Sequence, residues 1–141
     1  MQLVLLSGGS GKRLWPLSNE VRSKQFIKVF PAGEDGHESM LQRVYRQIRG
    51  ALGEVPVTVA TAKAQVSGIR NQLSGQVDIS VEPCRRDTFP AILLSALFLR
   101  DVKHVPLSEA VLVCPIDPYV EEGYFLALKE MEDRCIRGGT V

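Results

Sequence analysis

A chain of 141 residues, 45% hydrophobic and 23% charged, has room for one core and the composition of an ordinary soluble globular domain. Its net charge of +1 argues against a nucleic-acid or anionic-membrane partner. Cys84, Cys114 and Cys135 are widely spaced, with no Cys-x-x-Cys and no His pair, so they read as buried thiols of a reducing cytosol rather than a zinc site or disulfide framework.

The first apolar run, residues 2–6, reads as a buried strand and stops at Ser7-Gly8-Gly9-Ser10-Gly11-Lys12-Arg13-Leu14-Trp15-Pro16-Leu17. A strand ending in three glycines and two cations delivers backbone N–H groups to phosphate oxygens, because no Cβ blocks close approach. Two familiar phosphate loops are excluded. The Walker pattern would need Gly at Leu6 and Ser or Thr at Arg13, and the dinucleotide fingerprint from Gly9 would need Gly at Leu14. Charge supports an anion site here: residues 1–30 balance to +4, and the remainder to −3. Trp15 is expected to pack under the loop.

Beyond the loop, residues 26–30 form a short extended piece and 31–36 a turn. A helix follows over 39–52, burying Met40, Leu41, Val44, Ile48 and Leu52 at helical spacing. A second strand is expected at 55–60, a weak helix at 62–73, and a third strand at 77–81 with Val77, Ile79 and Val81 on one face. Asp87 and Thr88 are candidate caps for the next helix, and Pro90 suits its first turn. That helix continues to Lys103 and is apolar nearly all round, which predicts burial. The fourth strand is 110–114. The last helix, 121–137, opens with Glu121 and Glu122 and closes with Arg134 and Arg137, matching the helix dipole. Tyr119, Tyr124 and Phe125 are expected as its core contacts. His37 and His104 have no partner pattern and take no catalytic role. The first residues are too briefly apolar for a signal peptide, and no run has the length of a membrane span. A cytoplasmic protein is expected.

Strands alternating with helices imply a three-layer α/β/α Rossmann-like fold with a mainly parallel sheet. In the doubly wound order 3-2-1-4 the first and fourth strands are neighbours, so the loop after residue 7 and Asp117 meet at the carboxyl edge. An Asp before Pro118 is also a good turn starter.

Three ordered stretches carry a resemblance. They are Leu6 through Leu17 with Lys24-Gln25-Phe26, Glu82-Pro83-Cys84-Arg85-Arg86-Asp87-Thr88-Phe89-Pro90-Ala91-Ile92, and Val113-Cys114-Pro115-Ile116-Asp117. Together they resemble the sugar-nucleotide pyrophosphorylases, and within them the mannose-1-phosphate guanylyltransferase branch. Departures are Lys12 for Thr, Ser23 for Pro, Asp87 for Asn, Phe89 for Ala, and Pro118 where His is common. They bear on nucleotide preference more than on the reaction.

The resemblance implies a nucleotidyltransferase fold incomplete at its C-terminus, with residues 1–141 as its N-terminal nucleotide-binding part. It implies GTP and mannose-1-phosphate as substrates, Mg²⁺ as cofactor, and attack on the α-phosphorus to give GDP-mannose and pyrophosphate. By the same resemblance, Leu6, Gly8, Gly9, Ser10, Gly11, Lys12 and Arg13 wrap the triphosphate. Arg13 and Lys24 are the catalytic cations, and Asp117 the metal ligand. Glu82 and Pro83 shape the base pocket, and Arg86 and Thr88 lie near base or ribose. A second metal ligand is expected beyond residue 141, and an uncovered sheet edge leaves room for a homodimer. Two alternatives stay open: another sugar-1-phosphate nucleotidylyltransferase, or a nucleotide-binding module without turnover.

Overall fold

Leu3, Val4 and Leu5 are all buried in succession, which marks a strand covered on both faces. That strand, β1 (Gln2–Ser7), runs parallel to β4 (Val57–Ala62) on one side and β6 (Val111–Pro115) on the other. With β5 (Asp78–Glu82) beyond β4, the sheet order is β5-β4-β1-β6, all parallel. This is the expected 3-2-1-4 arrangement of the four main strands. The computed structural model describes residues 1–7, 23–33, 36–84, 86–136 and 138.

One face of the sheet packs against α1 (Met40–Leu52), α2 (Val66–Leu73) and α4 (Glu122–Ile136). Leu3, Leu5, Val57, Val59 and Cys114 meet Leu41, Ile48, Ile69 and Phe125 there. The opposite face meets α3 (Thr88–Asp101), through a smaller cluster of Val4, Ala60 and Leu99. Three layers result.

A hairpin of β2 (Lys28–Ala32) and β3 (Gly36–Ser39) feeds α1. At Gly36 a Cβ would lie 2.5 Å from the Ala32 carbonyl oxygen, so the turn requires glycine. Ser39 starts α1 with a capping box: its hydroxyl accepts from the Gln42 backbone N–H, and the Gln42 side chain accepts from the Ser39 N–H.

Several expectations need correction. The weak helix over 62–73 divides into a 3-10 turn (Lys63–Gln65) and α2. Helix α3 buries only Ala91, Ser95 and Leu99, a stripe at i, i+4 and i+8, because one side alone meets the sheet. Phe89 is 74% exposed, and Leu93, Leu97 and Val102 are exposed as well. Asp87 occupies the N-cap position but makes no side-chain cap bond, since its φ of 64° turns the backbone away from cap geometry. Val81 is exposed, whereas Val77 and Ile79 are partly buried against the core. Phe125 is buried as expected, but Tyr119 and Tyr124 are exposed. Arg43 stacks over the Tyr119 ring, 4.4 Å from its centre. Only Cys114 is a buried thiol; Cys84 and Cys135 are exposed. Burial pushes the Cys114 pKa up, against an opposing hydrogen bond from Tyr124. Among the described residues no helix is long and apolar enough to cross a membrane.

Candidate functional site

The sheet grows through β4 and β5 on one side of β1 and through β6 on the other, so its growth reverses between β1 and β6. Leu6 pairs with Pro115, and the Ile116 N–H donates to the Leu6 carbonyl at 3.2 Å. The ladder thus carries Asp117 to the side of Ser7, the residue from which the glycine-rich segment leaves.

Lys24 reaches the same place from a 3-10 turn (Lys24–Phe26), where its Nζ lies 3.1 Å from Asp117 Oδ2. The two side chains are 43% and 57% exposed. A cleft of about 10 Å³ between them is lined by Leu6, Ser7, Lys24, Gln25, Ile116 and Asp117. That space holds at most about one water.

Residues on both sides of Lys24 are buried. Ser23 Oγ donates to Gln25 Oε1 at 2.5 Å, and Gln25 Nε2 donates to Ser7 Oγ at 2.7 Å. Phe26 is buried, with its ring 3.5 Å from where a Cβ on Gly68 would sit, and its carbonyl accepts from Gln72 Nε2 at 2.8 Å. A larger groove of about 430 Å³ lies between this turn and α2, lined by Lys28, Ser67 and Asn71 among others. It shares no lining residue with the Asp117 cleft, and the Gln72 amide on its wall is committed to Phe26 and Ser39.

The remaining predicted residues divide. Gly8, Gly9, Ser10, Gly11, Lys12 and Arg13 lie outside the described residues, as does Trp15. Leu6 is partly buried and packs beside Val4 and Leu99. Glu82 ends β5, two strands from β1, at the same carboxyl edge. Two spacings put it about 10 Å from the end of β1. Pro83, Arg86 and Thr88 follow it and are exposed. Arg86 Nε donates to Cys84 Sγ at 3.4 Å, which raises the Arg86 pKa further above its ordinary value. The fold therefore brings Leu6, Lys24 and Asp117 together and leaves Glu82, Pro83, Arg86 and Thr88 at the other end of one edge.

Sequence reasoning missed the polar residues beneath the site: Ser7, Ser23, Thr61 and Gln65, all buried. The signal lay in their position, since Ser7 and Thr61 are register partners at the carboxyl ends of β1 and β4.

Among the described residues no three His, Cys, Asp or Glu side chains gather as a metal centre. Asp117 nonetheless fits a magnesium ion, which asks for one or two carboxylates and takes its other ligands from phosphates and water. The Lys24 ammonium already stands on its carboxylate as a cation would.

A parallel sheet covered by helices on both faces, with a cation and a carboxylate meeting beside the carboxyl end of β1 at the switch point, defines a doubly wound α/β domain. The chain belongs to the nucleotidyl transferase family, whose model matches residues 2–141. It is 34% identical over 122 residues to a mannose-1-phosphate guanylyltransferase of Escherichia coli, covering 84% of this chain and 25% of that protein. A mannose-1-phosphate guanylyltransferase of Klebsiella pneumoniae is 36% identical over 99 residues, covering 67% and 20%. A solved structure from Thermus thermophilus, described as a mannose-1-phosphate geranyltransferase, superposes with a TM-score of 0.73 at 29% identity. It covers 92% of this chain and 36% of that one. The chain thus spans about a fifth to a quarter of the length of the curated relatives it matches.

Proposed function

We propose that residues 1–141 form the N-terminal nucleotide-binding part of a mannose-1-phosphate guanylyltransferase. A mannose-1-phosphate oxygen attacks the α-phosphorus of GTP in line, the bond from that phosphorus to the oxygen bridging to the β-phosphate breaks, and pyrophosphate departs with that oxygen, giving GDP-mannose. The supporting observation is the meeting of Lys24 and Asp117 at the switch point, in a chain of this family.

The chemistry needs these charges. A dianionic sugar phosphate must approach a triphosphate of about four negative charges, and like charges repel unless neutralised. Arg13 presents a planar fork of donors suited to a leaving pyrophosphate, and Lys24 a point charge exposed enough to exchange its carboxylate partner for a phosphate oxygen. Asp117 holds Mg²⁺, which when bound supplies further charge stabilisation and alignment of the triphosphate. Leu6, Gly8, Gly9, Ser10, Gly11 and Lys12 line the triphosphate, while Glu82, Pro83, Arg86 and Thr88 face the base and ribose.

The same reading takes the protein as cytoplasmic, without a nucleic-acid or membrane partner, and admits a homodimer along β6, an edge strand among the described residues. A second reading is a module that binds nucleotide without turnover. GTP, mannose-1-phosphate and Mg²⁺ incubated with the chain distinguish the two. GDP-mannose formation supports the enzyme; GTP binding alone supports the module. Tighter binding of ATP or dTTP than of GTP moves the assignment to another sugar nucleotidyltransferase.

A further inference from the structure

Asp117 lies between two fixed points of its own segment. On the strand side, buried Ile116 donates its N–H to the Leu6 carbonyl at 3.2 Å. On the far side, the Val120 carbonyl accepts from Gln47 Nε2 at 3.0 Å, across 73 residues of chain. Gln47 is buried in α1. Its Oε1 has no partner among the described residues, so the bond to Val120 is what its amide contributes.

Tyr119 adds a second hold. The guanidinium of Arg43, one turn before Gln47 on α1, stands 4.4 Å from the centre of the Tyr119 ring. The Phe30 ring lies 5.8 Å from it, centre to centre. Both separations are those at which such groups attract. Phe30 belongs to β2, which begins just after the Lys24 turn, so Tyr119 touches the segment that carries the partner of Asp117.

The Lys24–Asp117 ion pair does not set this geometry alone, because both side chains are exposed and exposed pairs are weak. Pro118 restricts the backbone on both sides of the Asp117–Pro118 bond, so a shift at Tyr119 passes to Asp117. We propose that Tyr119 and Gln47 are positioning residues for Asp117, holding its carboxylate against Lys24 from the side of α1. The metal-binding meaning rests on the function proposed above; the placement of the carboxylate rests on these contacts.

The test is ¹H–¹³C NMR of the chain with ¹³C-methylated lysines, the Lys24 signal being assigned by its loss in Lys24→Arg. In the parent, Asp117→Asn is expected to shift that signal. In Tyr119→Ala and in Gln47→Met the signal is expected where Asp117→Asn puts it, with no further shift when either is combined with Asp117→Asn. The ring makes both Tyr119 contacts, so Tyr119→Phe should keep the parental signal. Tyr119 is exposed, and Tyr119→Ala decides the matter if Gln47→Met does not fold. A Lys24 signal that stays parental and sensitive to Asp117→Asn in Tyr119→Ala overturns the proposal. So does a parental signal that Asp117→Asn does not move, or a Tyr119→Phe signal displaced as in Tyr119→Ala.

A GTP titration with and without Mg²⁺ separates the two levels. Loss of a group that orients a metal ligand should weaken Mg–GTP binding by about tenfold in Tyr119→Ala. Without the metal, Tyr119→Ala and the parent should bind GTP alike, whereas equal weakening in both conditions overturns the positioning role. A parent that binds no GTP, or binds it equally without metal, refutes the functional reading of the site and leaves the NMR result to decide the placement.

Discussion

Lys24 Nζ and Asp117 Oδ2 meet at 3.1 Å across 93 residues of chain, each delivered by a different element to the gap between β1 and β6. The pair has two exposed partners, so its own worth is small. Its consequence is competition, because any cation that uses Asp117 must displace the ammonium. Exposed pairs contribute at most about 1 kcal/mol, so Lys24→Ala should tighten Mn²⁺ binding by up to about fivefold. Asp117→Asn should abolish it, and Lys24→Ala should weaken GTP binding. Mn²⁺ electron paramagnetic resonance reads the first two effects and a GTP titration the third.

The capping box at Ser39 sets a stability expectation. Ser39 is buried, satisfies the Gln42 N–H and also donates to Gln72 Oε1 at 2.5 Å. Ser39→Ala should cost about 1–2 kcal/mol, the upper part of the range for lost caps. Urea unfolding with an unchanged m-value is the measurement. Ser39→Gly should lose nearly as much, because the Gln72 partner is lost too.

Helix α3 should show a sharp contrast between its two sides. Leu99 is buried against Val4 and Ala60, so Leu99→Ala should cost about 2–5 kcal/mol. Leu93 is exposed on the outer side, and Leu93→Lys should lie within about 0.5 kcal/mol of the parent. Equal losses from both would refute the stripe of Ala91, Ser95 and Leu99 as the packing face.

The N-terminal amine gives an alkaline limit. Its pKa is raised above the ordinary 8.0, first by the hydrogen bond to Glu109, with Glu132 adding to it and burial opposing. A raised folded-state value means that the amine contributes fully below pH 8.0 and that this contribution is lost as pH rises through the folded value. Unfolding free energy measured from about pH 7 to about pH 10 should therefore fall. Glu109→Gln should flatten much of that slope, with Glu132 keeping the rest.

Periodicity made the sheet legible. Short apolar runs alternating with amphipathic segments define parallel βα units, and the doubly wound order then places Asp117 beside Ser7. Ser39 was readable as a helix start from the spacing of Leu41, Val44 and Ile48. Helix α3 was not. Its apolar residues encircle the axis, so pattern alone cannot say that only the Ala91–Ser95–Leu99 side meets the sheet. Gln65 was invisible for another reason: a lone Gln in a weakly helical stretch has no periodic signature, and its worth lies in partners four and 58 residues away. Hydrogen bonds between ends of neighbouring strands can be recognised only after the register is known.

Placing β1 between β4 and β6 has a cost in time. Leu3 must find Val57 and then Leu112, so a segment that leaves the ribosome ahead of both neighbours is among the last to gain them. At typical synthesis rates that wait is roughly 5–20 s. For that interval an apolar hexapeptide waits outside the ribosome without its partners, a ready target for whatever chaperone reaches it first.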